Sequence, residues 1–89
     1  MPLVAGIDCG SGFTKAVLLR QDEAAEAPAC LLGEGLVRSG VNMDAAAAEA
    51  LALALRDAAL ERSAVEYVAT TGFGRYSVSF RDIQITEIT

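Results

Sequence analysis

Apolar and polar positions along the chain fall into short runs broken by glycine-rich punctuation. Residues 3–9, LVAGIDC, read as a buried strand, and residues 14–20, TKAVLLR, as a second, joined by a turn at Gly10-Ser11-Gly12. A polar connection, QDEAAEA (21–27), leads to PACLLGEGLVR (28–38), a third strand in which Gly33 and Gly35 weaken the pairing and mark a bulge. These runs predict an antiparallel three-strand meander. In SGVN (39–42), Asn42 is placed to cap a helix running from about Met43 to Arg62, because its side-chain oxygen can accept an orphan backbone N–H. Ala47, Leu51, Ala54, Leu55 and Ala58 recur at helical spacing, and that stripe is expected to pack on the sheet. Asp44 and Glu49 come early and Arg56 and Arg62 late, in keeping with the helix dipole. AVEYVATTG (64–72) reads as a fourth strand, and a helix before it permits a crossover and parallel pairing. GFGR (72–75) is a glycine turn, and YSVSFRDIQITEIT (76–89) is extended or mixed.

Composition changes this picture in one respect. Hydrophobic residues make up 53% of the 89-residue chain, more than one small core readily hides, so an exposed sheet face, self-association or a missing second half is expected. The net charge of −5, without a basic cluster or an aromatic platform, argues against nucleic acid as partner. Asp8, Arg20 and the acidic stretch 22–26 interrupt every apolar run long enough to suggest a membrane span. MPLVAGID lacks the pattern of a secretory leader, and a cytoplasmic protein is the expectation. Cys9 and Cys30 have no C-x-x-C spacing and there is no histidine, so a zinc or complete iron–sulfur site within these residues is not expected. Both cysteines read as small buried hydrophobes.

The chemistry is concentrated in AGIDCGSGFTK (5–15). The P-loop pattern G-x-x-x-x-G-K-S/T fails because threonine precedes Lys15, and the dinucleotide pattern G-x-G-x-x-G fails because Lys15 stands at the third glycine. What remains is D-x-G-S-x-x-T-K across a strand, a turn and a strand. One reading is a hairpin whose turn needs glycine, with Lys15 on a solvated face. The other is a phosphate turn. Asp8 would then attend Mg²⁺, which usually takes one or two protein carboxylates together with phosphate oxygens. Gly10 and Gly12 would supply positive φ and close backbone approach, Ser11 and Thr14 hydroxyl donors, and Lys15 a point charge. Asp8 favours the second reading, since a carboxylate within LVAGIDC is costly to desolvate unless paired or metal-bound.

The Asp8–Lys15 pattern resembles the first phosphate motif of the acetate kinase, sugar kinase, Hsp70 and actin superfamily. VEYVATTGFGR (65–75) and ITEIT (85–89) resemble the segments that follow it in the ATPase activators of 2-hydroxyacyl-CoA dehydratases and the ATPase subunits of benzoyl-CoA reductase. The resemblance implies an α/β fold, a ribonuclease H-like half-domain of the actin-like ATPase type, with β-β-β-α-β order and a mixed sheet. It spans essentially residues 1–89, which would form the N-terminal nucleotide-binding half-domain of a longer ATPase. It further implies Mg·ATP bound between two half-domains, and a dimer holding a 4Fe–4S cluster whose ligands lie outside this chain. Hydrolysis in such a dimer drives a low-potential electron into an acyl-CoA dehydratase or aryl-CoA reductase partner. By position, Asp8 would hold Mg²⁺ and Gly10, Ser11, Gly12, Thr14 and Lys15 would face the phosphates. Thr71, Gly72 and Arg75 would shape the cleft, with Arg75 paired to a carboxylate, and Glu87 would stand near the attacking water.

The sequence departs from the family pattern in Gly12-Phe13, which places a bulky ring beside the loop, and in Cys9, where an aliphatic residue is usual. The second phosphate motif, the adenosine-binding segment and the cluster cysteines of the family all lie downstream of the residues matched here, so turnover is expected only of an intact protein. Two other readings compete: a carbohydrate-kinase half-domain of the same superfamily, and a non-catalytic interaction domain that keeps the fold.

Overall fold

The computed structural model describes residues 3–20 and 30–85. Strands β1 (Leu3–Cys9), β2 (Phe13–Arg20) and β3 (Cys30–Arg38) are followed by helix α1 (Met43–Ala58), then β4 (Tyr67–Thr71) and β5 (Ile83–Ile85). The five strands form one sheet in the order β3-β2-β1-β4-β5. β1, β2 and β3 pair antiparallel, whereas β4 runs parallel to β1 and β5 parallel to β4. The sheet is therefore mixed, and the helical crossover delivers the parallel neighbour.

Period-2 alternation sorts each strand onto two faces. Leu3, Ala5, Ile7 and Cys9 of β1 and Thr14, Ala16 and Leu18 of β2 point under α1 and are buried. The helix answers with Ala47, Ala50, Leu51, Ala54 and Leu55, which form the core with Val68 and Val78. On the opposite face Val4, Val17 and Leu19 are half-buried, and Phe13, Leu36, Tyr67, Ile83 and Ile85 are exposed. Among the described residues that face carries no covering element. No described helix is long and apolar enough to cross a membrane.

α1 lies very close to β3, and the two glycines of that strand make this possible. A Cβ on Gly33 would stand 2.5 Å from the Ala54 carbonyl oxygen, and one on Gly35 would collide with the Ala50 carbonyl. These glycines are a contact surface for the helix. The register shift expected near them occurs between Leu18 and Leu19 of β2, where Gly33 and Leu31 are successive partners and Leu32 is the extra residue. The Asp57 carboxylate also accepts the Glu34 N–H at 3.1 Å, tying the helix to the outer strand.

Asn42 caps α1 as expected, its side chain accepting the Ala45 N–H at 3.0 Å. The helix stops at Ala58, short of the expected Arg62. Ala59 adopts a left-handed conformation with φ 57°, and the Ala59 and Leu60 N–H groups return to the Arg56 and Leu55 carbonyls. That closure turns the chain back toward the sheet through a short 3₁₀ turn at Arg62–Ala64. Glu66 then docks on β1, accepting the Leu3 N–H at 3.0 Å. The fourth strand is accordingly shorter than 64–72, and the segment after it holds a 3₁₀ turn at Arg75–Ser77 and the short β5. Cys9 is buried as expected, but Cys30 is exposed at the start of β3, and both thiols are free.

Candidate active site

The hairpin joining β1 to β2 places Asp8 directly opposite Lys15, and the parallel pairing places Thr71 on its other side. All three share the face that α1 does not cover. They line a shallow cavity of about 230 Å³ together with Gly6, Val17 and Ile85. Asp8 is exposed rather than buried, so desolvation does not constrain its carboxylate as the sequence suggested. Among the described residues Lys15 makes one ion pair, with Glu34 at 3.7 Å, and both side chains are about half exposed. A solvated pair of this kind is weak, so the ammonium can turn to another anion.

Thr14 follows the other branch of the alternation. It is completely buried on the helix side, with its hydroxyl 2.8 Å from the Ser39 hydroxyl and 3.5 Å from the Met43 sulfur. Thr14 therefore does not share the open face with Asp8 and Lys15. Positive φ is also absent at Gly10 and Gly12; among the described glycines it occurs at Gly40 and Gly72. Gly10 is needed for space instead, because a Cβ there would meet the Phe13 carbonyl oxygen at 2.6 Å. Within the turn the Gly10 N–H donates to the Phe13 carbonyl at 3.1 Å, while the N–H groups of Ser11 and Gly12 meet no acceptor among the described residues.

The loop after β4 closes against the end of β1. Gly72 has φ 90°, and a Cβ on it would stand 2.7 Å from the Asp8 carboxylate and 2.9 Å from the Cys9 carbonyl oxygen. The Gly74 N–H donates to that same Cys9 carbonyl at 2.9 Å. Arg75 holds the loop from within: its guanidinium donates to the Gly72 carbonyl at 2.8 Å and lies 4.9 Å over the Tyr76 ring. Among the described residues no carboxylate pairs with Arg75, and its Nε is buried without a partner there. Glu87 lies outside the described residues.

A lone carboxylate beside a cation and two unengaged N–H groups suits Mg²⁺ carried in on a polyphosphate, where phosphate oxygens complete the coordination. It does not suit a metal held by protein ligands alone, and the described residues contain no cluster of three or more ligating side chains. The cysteines do not fit an iron–sulfur cluster either. Cys9 and Cys30 sit at opposite ends of the sheet, as the pairing of Cys9 with Thr14 and of Cys30 with Arg20 requires. Burial, and secondarily the Asp8 charge, raise the Cys9 thiol to about 11, which keeps it protonated.

Sequence reasoning missed Ser39. It is 3% exposed and lies just beyond β3. Its N–H donates to the Gly12 carbonyl at 3.0 Å and its hydroxyl to the Gly10 carbonyl. Nothing in SGVN distinguishes it from an ordinary loop serine.

The fold recurs in solved structures. Component A of (R)-2-hydroxyglutaryl-CoA dehydratase from Acidaminococcus fermentans superposes with a TM-score of 0.79 at 23% identity, over 97% of this chain. This is the actin-like ATPase fold. The activator of 2-hydroxyisocaproyl-CoA dehydratase from Clostridium difficile, solved with bound ADPNP, matches with a TM-score of 0.75 at 24% identity over 94% of the chain. The chain spans 31% and 29% of the lengths of those two proteins. It is also 40% identical over 73 residues to an uncharacterized protein of Methanocaldococcus jannaschii, covering 82% of this chain and 16% of that protein. No family model matches the sequence.

Proposed function

We propose that these residues bind the phosphates of Mg·ATP as the N-terminal half-domain of an ATPase activator. In the intact protein, hydrolysis would drive low-potential electron transfer into an acyl-CoA dehydratase or an aryl-CoA reductase. The observation that carries the reading is the placement of Asp8 and Lys15 side by side on one face, directly before and after a turn with two unengaged N–H groups. Asp8 would hold the Mg²⁺ that accompanies ATP, and Lys15 would neutralise a phosphate oxygen. Ser11 and Gly12 would donate from the turn, while Thr71, Gly72 and Arg75 shape the floor beside Asp8. Glu87 would stand near the attacking water. The likeness to two dehydratase activators, one solved with ADPNP, supports the choice of nucleotide and of partner class. A 4Fe–4S cluster, where the intact dimer carries one, would be held by residues outside this chain. The open sheet face would be covered by self-association or by the partner.

The test is a titration of the chain with Mg·ATP, followed at the Gly10–Lys15 amides and repeated with Asp8→Ala. Because these residues would supply one side of the proposed cleft, affinity near millimolar, about −4 kcal/mol, is expected. Shifts that depend on Mg²⁺ and vanish in Asp8→Ala support the site. An unchanged wild-type spectrum at saturating Mg·ATP would leave the interaction-domain reading in its place.

A further inference from the structure

We infer that Ser39 is a positioning residue that sets the shape of the phosphate turn; this rests on the phosphate-binding reading above. Ser39 reaches the turn from the end of β3 and engages both of its ends, the hydroxyl at the Gly10 carbonyl and the N–H at the Gly12 carbonyl. A serine hydroxyl has one proton. Since that proton goes to Gly10, the 2.8 Å contact between the two hydroxyls is donated by Thr14, whose single proton takes the nearer oxygen over the Met43 sulfur at 3.5 Å. The result is a relay from Thr14 through Ser39 to Gly10, fully buried at its Thr14 end and almost so at Ser39. Chains of this kind polarise one another in a low-dielectric interior.

The consequence follows from peptide geometry. The Gly10 carbonyl and the Ser11 N–H belong to one planar trans peptide, in which C=O and N–H point in opposite directions. Holding the Gly10 oxygen inward on Ser39 therefore holds the Ser11 N–H outward. The Gly10 N–H is already used by Phe13, and the Gly12 carbonyl by Ser39. The groups the turn still offers an anion include the N–H groups of Ser11 and Gly12 and the Ser11 hydroxyl. Ser39 thus acts on a bound phosphate without touching it, and Thr14 contributes through Ser39.

The experiment compares Mg·ATP affinity, read from the Ser11 and Gly12 amide shifts, in wild type, Ser39→Ala and Ser39→Thr. Leu51→Ala, which loosens the core between α1 and the sheet, serves as a control for general destabilisation. Loss of one buried hydrogen bond that orients the donor is expected to weaken binding about tenfold in Ser39→Ala. Ser39→Thr, which keeps the hydroxyl, is expected to restore most of it, and Leu51→Ala to bind like wild type. Binding by Ser39→Ala within twofold of wild type, or an equal loss in Leu51→Ala, would overturn the inference while leaving the phosphate site standing. Absence of any wild-type response to Mg·ATP would instead remove the phosphate reading, and this inference with it.

Discussion

Alanine at Gly72 tests the junction between fold and site. The residue sits at φ 90°, and an added Cβ would lie 2.7 Å from the Asp8 carboxylate, 2.9 Å from the Cys9 carbonyl oxygen and 3.1 Å from the Cys9 carbonyl carbon. The carboxylate is the end of an exposed side chain and can swing aside at little cost. The Cys9 carbonyl cannot, because it belongs to β1 and accepts the Gly74 N–H at 2.9 Å. A non-glycine residue held in such a backbone region costs ~1–3 kcal/mol, and overpacking against fixed atoms costs about as much again. A combined loss of about 3 kcal/mol is expected, a large part of the ~0.05–0.15 kcal/mol per residue that sustains a domain. Urea unfolding followed by circular dichroism measures it: with a slope of ~1–3 kcal/mol per molar, the midpoint should fall by roughly 1 M or more. Gly12→Ala is the matched control, since no atom lies within 4 Å of a Cβ at that position. A Gly72→Ala midpoint indistinguishable from wild type, or an equal loss in Gly12→Ala, would refute the reasoning.

Three further outcomes are expected. Gly35→Ala should destabilise by about 2 kcal/mol or more, because its Cβ would press on the Ala50 carbonyl and stand 2.7 Å from the Leu53 Cβ, and two packed backbones must separate to admit it; the same urea assay checks this, with exposed Glu34→Ala as the reference expected to be near neutral. For the cysteines, a thiol reagent at pH 8 should label exposed Cys30 rapidly and Cys9 only as the chain opens. Burial raises the Cys9 thiol from 9.0 to about 11, so the neutral thiol's contribution to stability is fully present below pH 9 and is lost as pH rises through 11. Wild type should therefore lose stability relative to Cys9→Ala across that window, and parallel pH profiles would contradict the assignment.

Much of the fold was readable from local pattern. The strands at 3–9 and 14–20, the cap at Asn42, the alanine–leucine stripe and the parallel return after the helix all appear where the sequence places them. These features depend on short-range rules: alternation, capping chemistry and the length needed for a crossover. One signal was present but unused. Thr14 and Lys15 are adjacent in a strand and must point to opposite faces, so they could not both meet a phosphate on the open face.

The remaining features required packing. Alanine and leucine continue past Ala58, so propensity alone has no reason to end the helix; the left-handed turn at Ala59 serves the return to the sheet. Gly33 and Gly35 read locally as weak points in a strand, and only the approach of α1 shows them to be its seat. The exposure of Asp8 depends on which face the helix covers, a choice that period-2 alternation leaves open. Ser39 gains its place because the end of β3 is carried alongside the turn by pairing with β2, through Arg38 opposite Phe13. Sequence pattern acts over a few residues and specifies elements and their two faces. Which face is buried, and which distant hydroxyl reaches a turn, depend on contacts between residues far apart in the chain, and those exist only once the sheet and helix have come together.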